Sequence, residues 1–188
     1  MDIEVASRGF DDRIRWDPAL IRKYDVAGPR YTSYPTALQF AEGFGSREYE
    51  QYLLERPPVI GPLSLYVHIP FCRNICYYCA CNKIVTRDAA VAERYIVAVE
   101  KEIALLSRHF DRRRRVTQLH WGGGTPTFLS PSELTRLMHG LARHFSLIDA
   151  PEREYSIEID PRSVDTGTIA LLKGLGFNRI SMGIQDFD

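Results

Sequence analysis

From residue 61 onward the chain alternates between short apolar runs and longer amphipathic stretches. Residues 64–69 are rich in β-branched and aromatic side chains and stop at Pro70, which predicts a buried strand. Similar runs predict further strands over 116–121, 155–160 and 179–184. The helical stretches between the strands have apolar residues every three or four positions, first Ile96, Val99, Ile103, Leu106 and Phe110, then Leu134, Leu137, Leu141 and Phe145.

Capping residues set the expected ends of the helices. Thr86 is predicted to be the N-cap of the first helix, and Ser130, followed by Pro131, opens the second. A third helix is predicted over 163–175, where Gly176 stops it. A strand and a helix that alternate in this way are typical of an α/β fold with a parallel sheet.

The unusual loops of this pattern all follow strands. Four cysteines follow the first strand, three glycines the second, the Asp160–Pro161–Arg162 segment the third and Gln185 the fourth. Ligands of parallel sheets bind at the carboxyl ends of the strands. The pattern therefore predicts a single site at that edge of the sheet.

Residues 1–60 are predicted to form an N-terminal extension, and residues 61–188 the core. The glycines, prolines and tyrosines at 28–35 oppose long helices and central strands. A short helix is expected over 46–54, with Ser46 as its cap and Pro57 and Pro58 beyond its end.

Composition narrows the classes of function. With 188 residues, 45% of them hydrophobic, the chain has enough apolar side chains for a core. Its 24 basic and 24 acidic residues balance, which disfavours nonspecific binding to nucleic acid or an acidic membrane. No apolar stretch approaches the roughly 20 residues of a membrane span, and the N-terminus has no apolar secretory segment. These features predict a cytoplasmic protein with a small-molecule site.

The cysteines are the abnormal part of the composition. All four lie between Cys72 and Cys81, with the spacing C-x3-C-x2-C-x-C. A disulfide framework spreads along a chain, and a zinc site generally uses two separated pairs. Three cysteines at spacings of four and three reach three corners of a [4Fe-4S] cluster and leave one iron open. A zinc site, structural thiols, or a ferredoxin-like electron carrier with Cys81 as fourth ligand are the alternatives.

The Cys72-x3-Cys76-x2-Cys79 motif resembles that of radical S-adenosylmethionine (SAM) enzymes. The segments 66–72, 79–83, 120–127 and 182–187, with 28–37 in the extension, are similar to those of one family within it, the oxygen-independent coproporphyrinogen III oxidases or coproporphyrinogen dehydrogenases. The resemblance implies the first half of a radical SAM partial (β/α) barrel. It also implies that the chain is an N-terminal fragment, truncated after about four strands with an unpaired sheet edge and inactive alone.

The activity that the resemblance implies is an oxidoreductase reaction of haem biosynthesis without oxygen. A 5′-deoxyadenosyl radical takes hydrogen from the β-carbon of a propionate, and loss of CO2 and one electron leaves a vinyl group. Two such events convert coproporphyrinogen III to protoporphyrinogen IX. The expected partners are the porphyrinogen and an electron donor and acceptor, and the expected state is a monomer. A haem-binding radical SAM protein of the haem-chaperone type is the alternative.

The resemblance also assigns roles to residues of this chain. The cluster ligands are Cys72, Cys76 and Cys79, the contacts of the cluster-bound SAM are Tyr66, Gly123 and Glu158, and those of a second SAM are Tyr78, Gly124, Thr125 and Gln185. Cys81 is expected near the substrate and not on iron, which favours the oxidase over the haem-chaperone class. Tyr78 stands where the family typically has phenylalanine.

Three further expectations come from the residues themselves. Exposed backbone amides are expected at the glycines, His68 is expected to be a core imidazole, and residues 112–115 are expected to form a solvated basic turn.

Overall fold

The computed structural model describes residues 17–26, 39–55, 61–77 and 79–183, which belong to two compact units, 1–49 and 50–188. In the first unit, α1 (Pro18–Tyr24) begins after Asp17, whose carboxylate accepts hydrogen bonds from two backbone amides of the first turn. Helix α2 (Ser46–Glu55) crosses the division between the units. Ser46 is already helical, and Glu48 accepts from the Gly45 amide at 2.9 Å, so the prediction of Ser46 as the cap is wrong by one position.

The second unit alternates strands and helices as predicted. Its elements are β1 (Leu63–Ile69), β2 (Phe71–Cys72), β3 (Ile84–Val85), α3 (Ala90–Leu106), β4 (Arg115–Gly123), α4 (Pro131–His144), β5 (Ser146–Leu147), β6 (Glu154–Ile159), α5 (Thr166–Gly174) and β7 (Arg179–Met182). The predicted boundary at residue 60, the segment 28–37 and the predicted end of the last strand lie outside the described residues. No helix in the described ranges is long and apolar enough to cross a membrane.

The main sheet has the order β1-β4-β6-β7, and every pairing in it is parallel. The α/β class and the parallel sheet are therefore confirmed. The short strand β5 pairs with the first residues of β4, and β2 pairs with β3 in a separate ribbon. In the register, Ile69 lies opposite Gly123, and Ile159 lies opposite Met182. The carboxyl ends of the four strands consequently meet at one edge.

One face of this sheet packs against the helices. Trp121 is fully buried at its centre, and its indole meets the Phe177 ring edge-on at 5.2 Å between centroids. The same cluster contains residues of three strands of the main sheet, of β2 and of three helices, among them Ile69, Ile157, Ile96, Leu134, Leu137 and Leu172. Residues whose side chains lie on the other face of the sheet, such as Tyr66, His120 and Glu158, are more exposed and polar. Burial of one face thus leaves the other free for chemistry.

The helix starts show which capping predictions were right. Ser130 caps α4 in a full capping box with Glu133, as predicted. Thr86 does not cap α3, because its hydroxyl accepts from the Asp88 amide and the Asp88 carboxylate in turn accepts from Ala90. Similarly, Ser163 lies in a 3₁₀ turn, and α5 begins after its cap, Asp165.

Tyr155 joins β6 to the start of β4 and to the segment after β5. Its buried hydroxyl donates to the Val116 carbonyl at 2.8 Å and accepts from the Ile148 amide at 2.8 Å. Tyr155→Phe leaves both groups without that partner, so we expect the free energy of unfolding to fall by about 1–3 kcal/mol in urea denaturation. Tyr52→Phe, at an exposed ring, is the control and should change it by less than about 0.5 kcal/mol. Equal values for the two variants would contradict this role of the hydroxyl.

Candidate functional site: the carboxyl edge of the sheet

The cysteine loop is closed at its base by the β2–β3 ribbon. Phe71 and Cys72 pair with Ile84 and Val85. The Ile84 amide donates to the Pro70 carbonyl at 2.7 Å, and the Thr86 amide donates to the Cys72 carbonyl at 2.9 Å. These bonds hold the cysteine loop, residues 72–83, at the carboxyl end of β1, where the sequence predicts the site.

The four thiols of this loop differ in their surroundings. Cys72 is buried, and the Thr125 hydroxyl donates to its Sγ at 3.5 Å. Cys79 is half-buried, and the Cys81 backbone amide, followed by Lys83, lowers the pKa of its thiol below the usual value. Burial, with the negative charge of a Cys79 thiolate, raises the pKa of the Cys81 thiol. The thiol of Cys79 therefore loses its proton more readily than the thiol of Cys81.

The glycines after β4 pack against this loop. A Cβ on Gly124 would lie 2.7 Å from the backbone carbon and oxygen of Pro70, so the close approach requires glycine. Gly123 has φ of +108°, and its amide donates to the Glu158 carboxylate at 3.2 Å. The Gly124 amide donates to the Ile69 carbonyl and the Thr125 amide to that of Phe71. The prediction that the glycine amides face a ligand is therefore wrong for Gly123 and Gly124, since each already has a protein acceptor.

Tyr66 and His68 connect β1 to the cysteine loop. His68 Nε2 lies 2.9 Å from the Asn82 carbonyl oxygen, which can only accept, so Nε2 carries the proton. In the neutral ring Nδ1 then accepts from the Tyr66 hydroxyl at 3.0 Å. His68 is a satisfied imidazole, as predicted, but it lies at the site rather than in the apolar core. Burial and the nearby Glu158 charge raise the pKa of Tyr66, which keeps its hydroxyl protonated.

Glu158 has partners that the sequence analysis did not identify. His120 Nε2 lies 3.3 Å from Glu158 Oε1, and His120 Nδ1 lies 2.6 Å from the Ser156 hydroxyl. The His120 ring also stacks on Tyr66, with centroids 5.7 Å apart and planes 14° from parallel. The available signal was the recurrence of polar residues on one face of successive strands, which becomes visible only when the strands are in register.

A sequence profile of the radical SAM superfamily matches residues 66–188. The chain belongs to the radical SAM superfamily. The match begins at Tyr66 and covers the cysteine loop, the glycines and Glu158.

Individual radical SAM relatives are more specific. The chain is 56% identical over 177 residues to the oxygen-independent coproporphyrinogen III oxidase of Pseudomonas aeruginosa, with 94% of this chain and 38% of the relative covered. It is 51% identical over 176 residues to the Escherichia coli protein of the same name, with 94% and 37% covered. The resemblance to these oxidases is confirmed. The chain spans about 38% of the length of the first of these relatives.

A solved structure supports the same relationship. The structure of coproporphyrinogen III oxidase from Escherichia coli, which is described as a radical SAM enzyme, matches with a TM-score of 0.79 and 49% identity. The match covers 93% of this chain and 38% of that chain. The predicted α/β architecture, the first part of the radical SAM fold, is confirmed by this match.

Membership of the radical SAM superfamily implies a [4Fe-4S] cluster and SAM. The donor chemistry fits the cluster, because its protein ligands are thiolates and the loop supplies three at the expected spacing. Among the residues that the structure describes, no three His, Cys, Asp or Glu side chains converge on the position of a single metal ion. Tyr78 and Gln185, predicted to contact a second SAM, lie outside the described residues.

The basic run at 112–115 lies at the opposite end of β4 from this site. Each arginine has a partner within the protein: Arg112 donates to the Arg143 carbonyl, Arg113 to Asp111, Arg114 to the Gly61 carbonyl and Arg115 to Glu152. The run therefore serves local structure, which agrees with its prediction as a turn remote from the site.

Proposed function

We propose that this chain contributes the cluster loop and part of the SAM site to an enzyme that decarboxylates coproporphyrinogen III without oxygen, giving protoporphyrinogen IX for haem biosynthesis. The observation that carries this proposal is the convergence of three elements at one sheet edge. Thr125 after β4 contacts Cys72 of the cysteine loop at 3.5 Å, and Gly123 contacts Glu158 of β6 at 3.2 Å. Two relatives named for this reaction, whose alignments cover 94% of this chain, support the choice of substrate.

The reduced cluster with bound SAM would supply a 5′-deoxyadenosyl radical, which can take hydrogen from the β-carbon of a propionate. Each of the two propionates that react would then lose CO2 and one electron and become a vinyl group, so the reaction needs an electron donor for the cluster and an acceptor for the product electron. Hydrogen abstraction from such a carbon is beyond side-chain acid and base chemistry. The protein's own part is to bind the substrate, to orient it toward the radical and to exclude oxygen.

The proposed roles of the residues come from the resemblance to the oxidase family. Cys72, Cys76 and Cys79 would hold three irons of the cluster, and Cys81 would stay a thiol near the substrate. Tyr66, Gly123 and Glu158 would contact the cluster-bound SAM, and Tyr78, Gly124, Thr125 and Gln185 a second SAM. The location of Glu158 beside Gly123 supports the first group, because a half-exposed carboxylate at a strand end can bind the SAM amine. Because the Gly124 and Thr125 amides have protein acceptors, their contacts would be made through carbonyl, Cα or hydroxyl groups.

The proposal is tested by product analysis under anaerobic conditions. Because residues 1–188 span about 38% of the length of a relative named for this reaction, we expect no turnover from them alone, and the assay uses them within a chain of that full length. After reconstitution with iron and sulfide and chemical reduction, coproporphyrinogen III and SAM should yield protoporphyrinogen IX and 5′-deoxyadenosine together. Tight haem binding with no vinyl product would instead support a haem-chaperone-type protein and would overturn the proposal. The monomeric state and the cytoplasmic location remain predictions.

A further inference from the structure

His120 lies between two polar residues of the neighbouring strand. In the β4–β6 register His120 is opposite Ser156, and Glu158 is two positions further along the same face. The imidazole bridges them, with Nδ1 2.6 Å from Ser156 Oγ and Nε2 3.3 Å from Glu158 Oε1. Ser156 is one of the few polar side chains buried in the described part of the chain.

The chemistry of these groups determines where the protons lie. An ionised carboxylate only accepts hydrogen bonds, so the contact with Glu158 requires a proton on His120 Nε2. In the neutral ring Nδ1 is then the acceptor, and the Ser156 hydroxyl must donate to it. Glu158 therefore selects the tautomer of His120, and the Ser156 hydroxyl, which can donate or accept, completes this arrangement by donating to Nδ1.

The residues around His120 and Glu158 restrict how the two side chains can be arranged. A Cβ on Gly122 would lie 2.9 Å from both Glu158 Cδ and His120 Nε2, so the first glycine of the triplet provides the space for the pair. The Tyr66 ring stacks on the imidazole and restricts its rotation. The second carboxylate oxygen, Oε2, accepts from the Gly123 amide at 3.2 Å. Each oxygen of Glu158 thus has one donor from the protein and further lone pairs for a ligand.

We propose that His120, whose tautomer is set by Glu158 and whose ring is held in place by Ser156, is a positioning residue that fixes the Glu158 carboxylate toward the amino group of SAM. The proposal rests on the proposed role of Glu158 as a SAM contact. It assigns a task to His120, Ser156 and Gly122.

The tautomer of His120 can be measured without SAM. Two-bond 15N–1H correlation spectra of 15N-histidine-labelled protein, about two units above the ordinary histidine pKa of about 6.5, should show the proton of His120 on Nε2. Glu158→Gln, whose amide can accept or donate, should remove this preference. A proton on Nδ1, a ring that is still charged, or an unchanged tautomer in Glu158→Gln would overturn the proposal. Because no SAM is present, this result does not depend on the proposed function.

The affinity for SAM tests the consequence. His120→Phe keeps the stack on Tyr66 but removes the donor to Glu158, so calorimetric titration of the anaerobically reconstituted protein should show roughly 10- to 100-fold weaker SAM binding. His120→Gln, whose amide can still donate, should restore affinity to within roughly tenfold of the original. His139→Gln, on the exposed surface of α4, is the matched control and should bind SAM normally.

Two outcomes separate this proposal from the one on which it rests. Normal SAM affinity in His120→Phe, or equal losses in the Phe and Gln variants, would overturn positioning by His120. Normal affinity in Glu158→Gln would overturn the SAM contact of Glu158 itself, and positioning toward SAM would fall with it. Unfolding curves of all variants confirm that the comparison is between folded proteins.

Discussion

Replacing Cys72, Cys76 or Cys79 with serine is expected to reduce the iron content of the anaerobically reconstituted protein to near background. Iron–sulfur clusters bind thiolates, and a cluster held by three cysteines loses one of its few protein bonds in each variant. Iron and sulfide analysis, with the visible absorption of the cluster, measures the effect. Cys72 is buried at the base of the loop, so unfolding curves of the apoproteins should accompany its variant.

Cys81→Ser is the matched control for these variants. It makes the same replacement of sulfur by oxygen in the same loop, only two positions beyond Cys79. The proposed role of Cys81 near the substrate predicts that this variant keeps its iron and, in a chain of the relatives' full length, loses the vinyl product. Loss of iron in Cys81→Ser to the same extent as in Cys79→Ser would mean four protein ligands, and would contradict an open iron.

Gly124→Ala should separate β4 from the cysteine loop. The new Cβ would lie 2.7 Å from backbone atoms of Pro70, which cannot rotate away as a side chain can. We expect the free energy of unfolding to fall by roughly 1–3 kcal/mol and the reconstituted iron content to fall with it, because the Gly124–Ile69 and Thr125–Phe71 bonds hold this junction. Urea denaturation and iron analysis measure the two effects.

Gly174→Ala is the control for this substitution. Gly174 ends α5, and nothing lies within 4 Å of the position of its Cβ. Alanine is the better helix former, so this variant should be neutral or up to about 1 kcal/mol more stable, with normal iron content. If Gly124→Ala behaves in the same way, the close approach at Pro70 does not require glycine.

The alternation of strands and helices could be predicted because each long element has its own periodicity. The series from Leu134 to Leu141 lies on the buried face of α4, and the run at 64–69 falls within β1. The two-residue strands β2, β3 and β5 could not be predicted, since two residues carry no period. The cap of α3 was misassigned because Thr86 and Asp88 are both good acceptors, and only the folded turn shows which of them binds the first helical amide.

The candidate site likewise has parts that the sequence predicts and parts that it does not. Local motifs predict the cysteines and the glycines, because their spacing is contained in a few consecutive residues. The link from Ser156 through His120 to Glu158 depends on register, since His120 and Ser156 are 36 positions apart in the chain. An alternating strand of polar and apolar residues gives no indication of which polar residue of the next strand it will face.

The central claim is a cluster with one iron left open for SAM, and electron paramagnetic resonance of the reduced, reconstituted protein tests it most directly. Spectra are recorded with and without SAM for the unchanged protein and for Cys81→Ser. The account predicts a [4Fe-4S] signal whose g-values shift on addition of SAM in both proteins. A cluster signal that does not respond to SAM in the unchanged protein, or that disappears in Cys81→Ser, would contradict it.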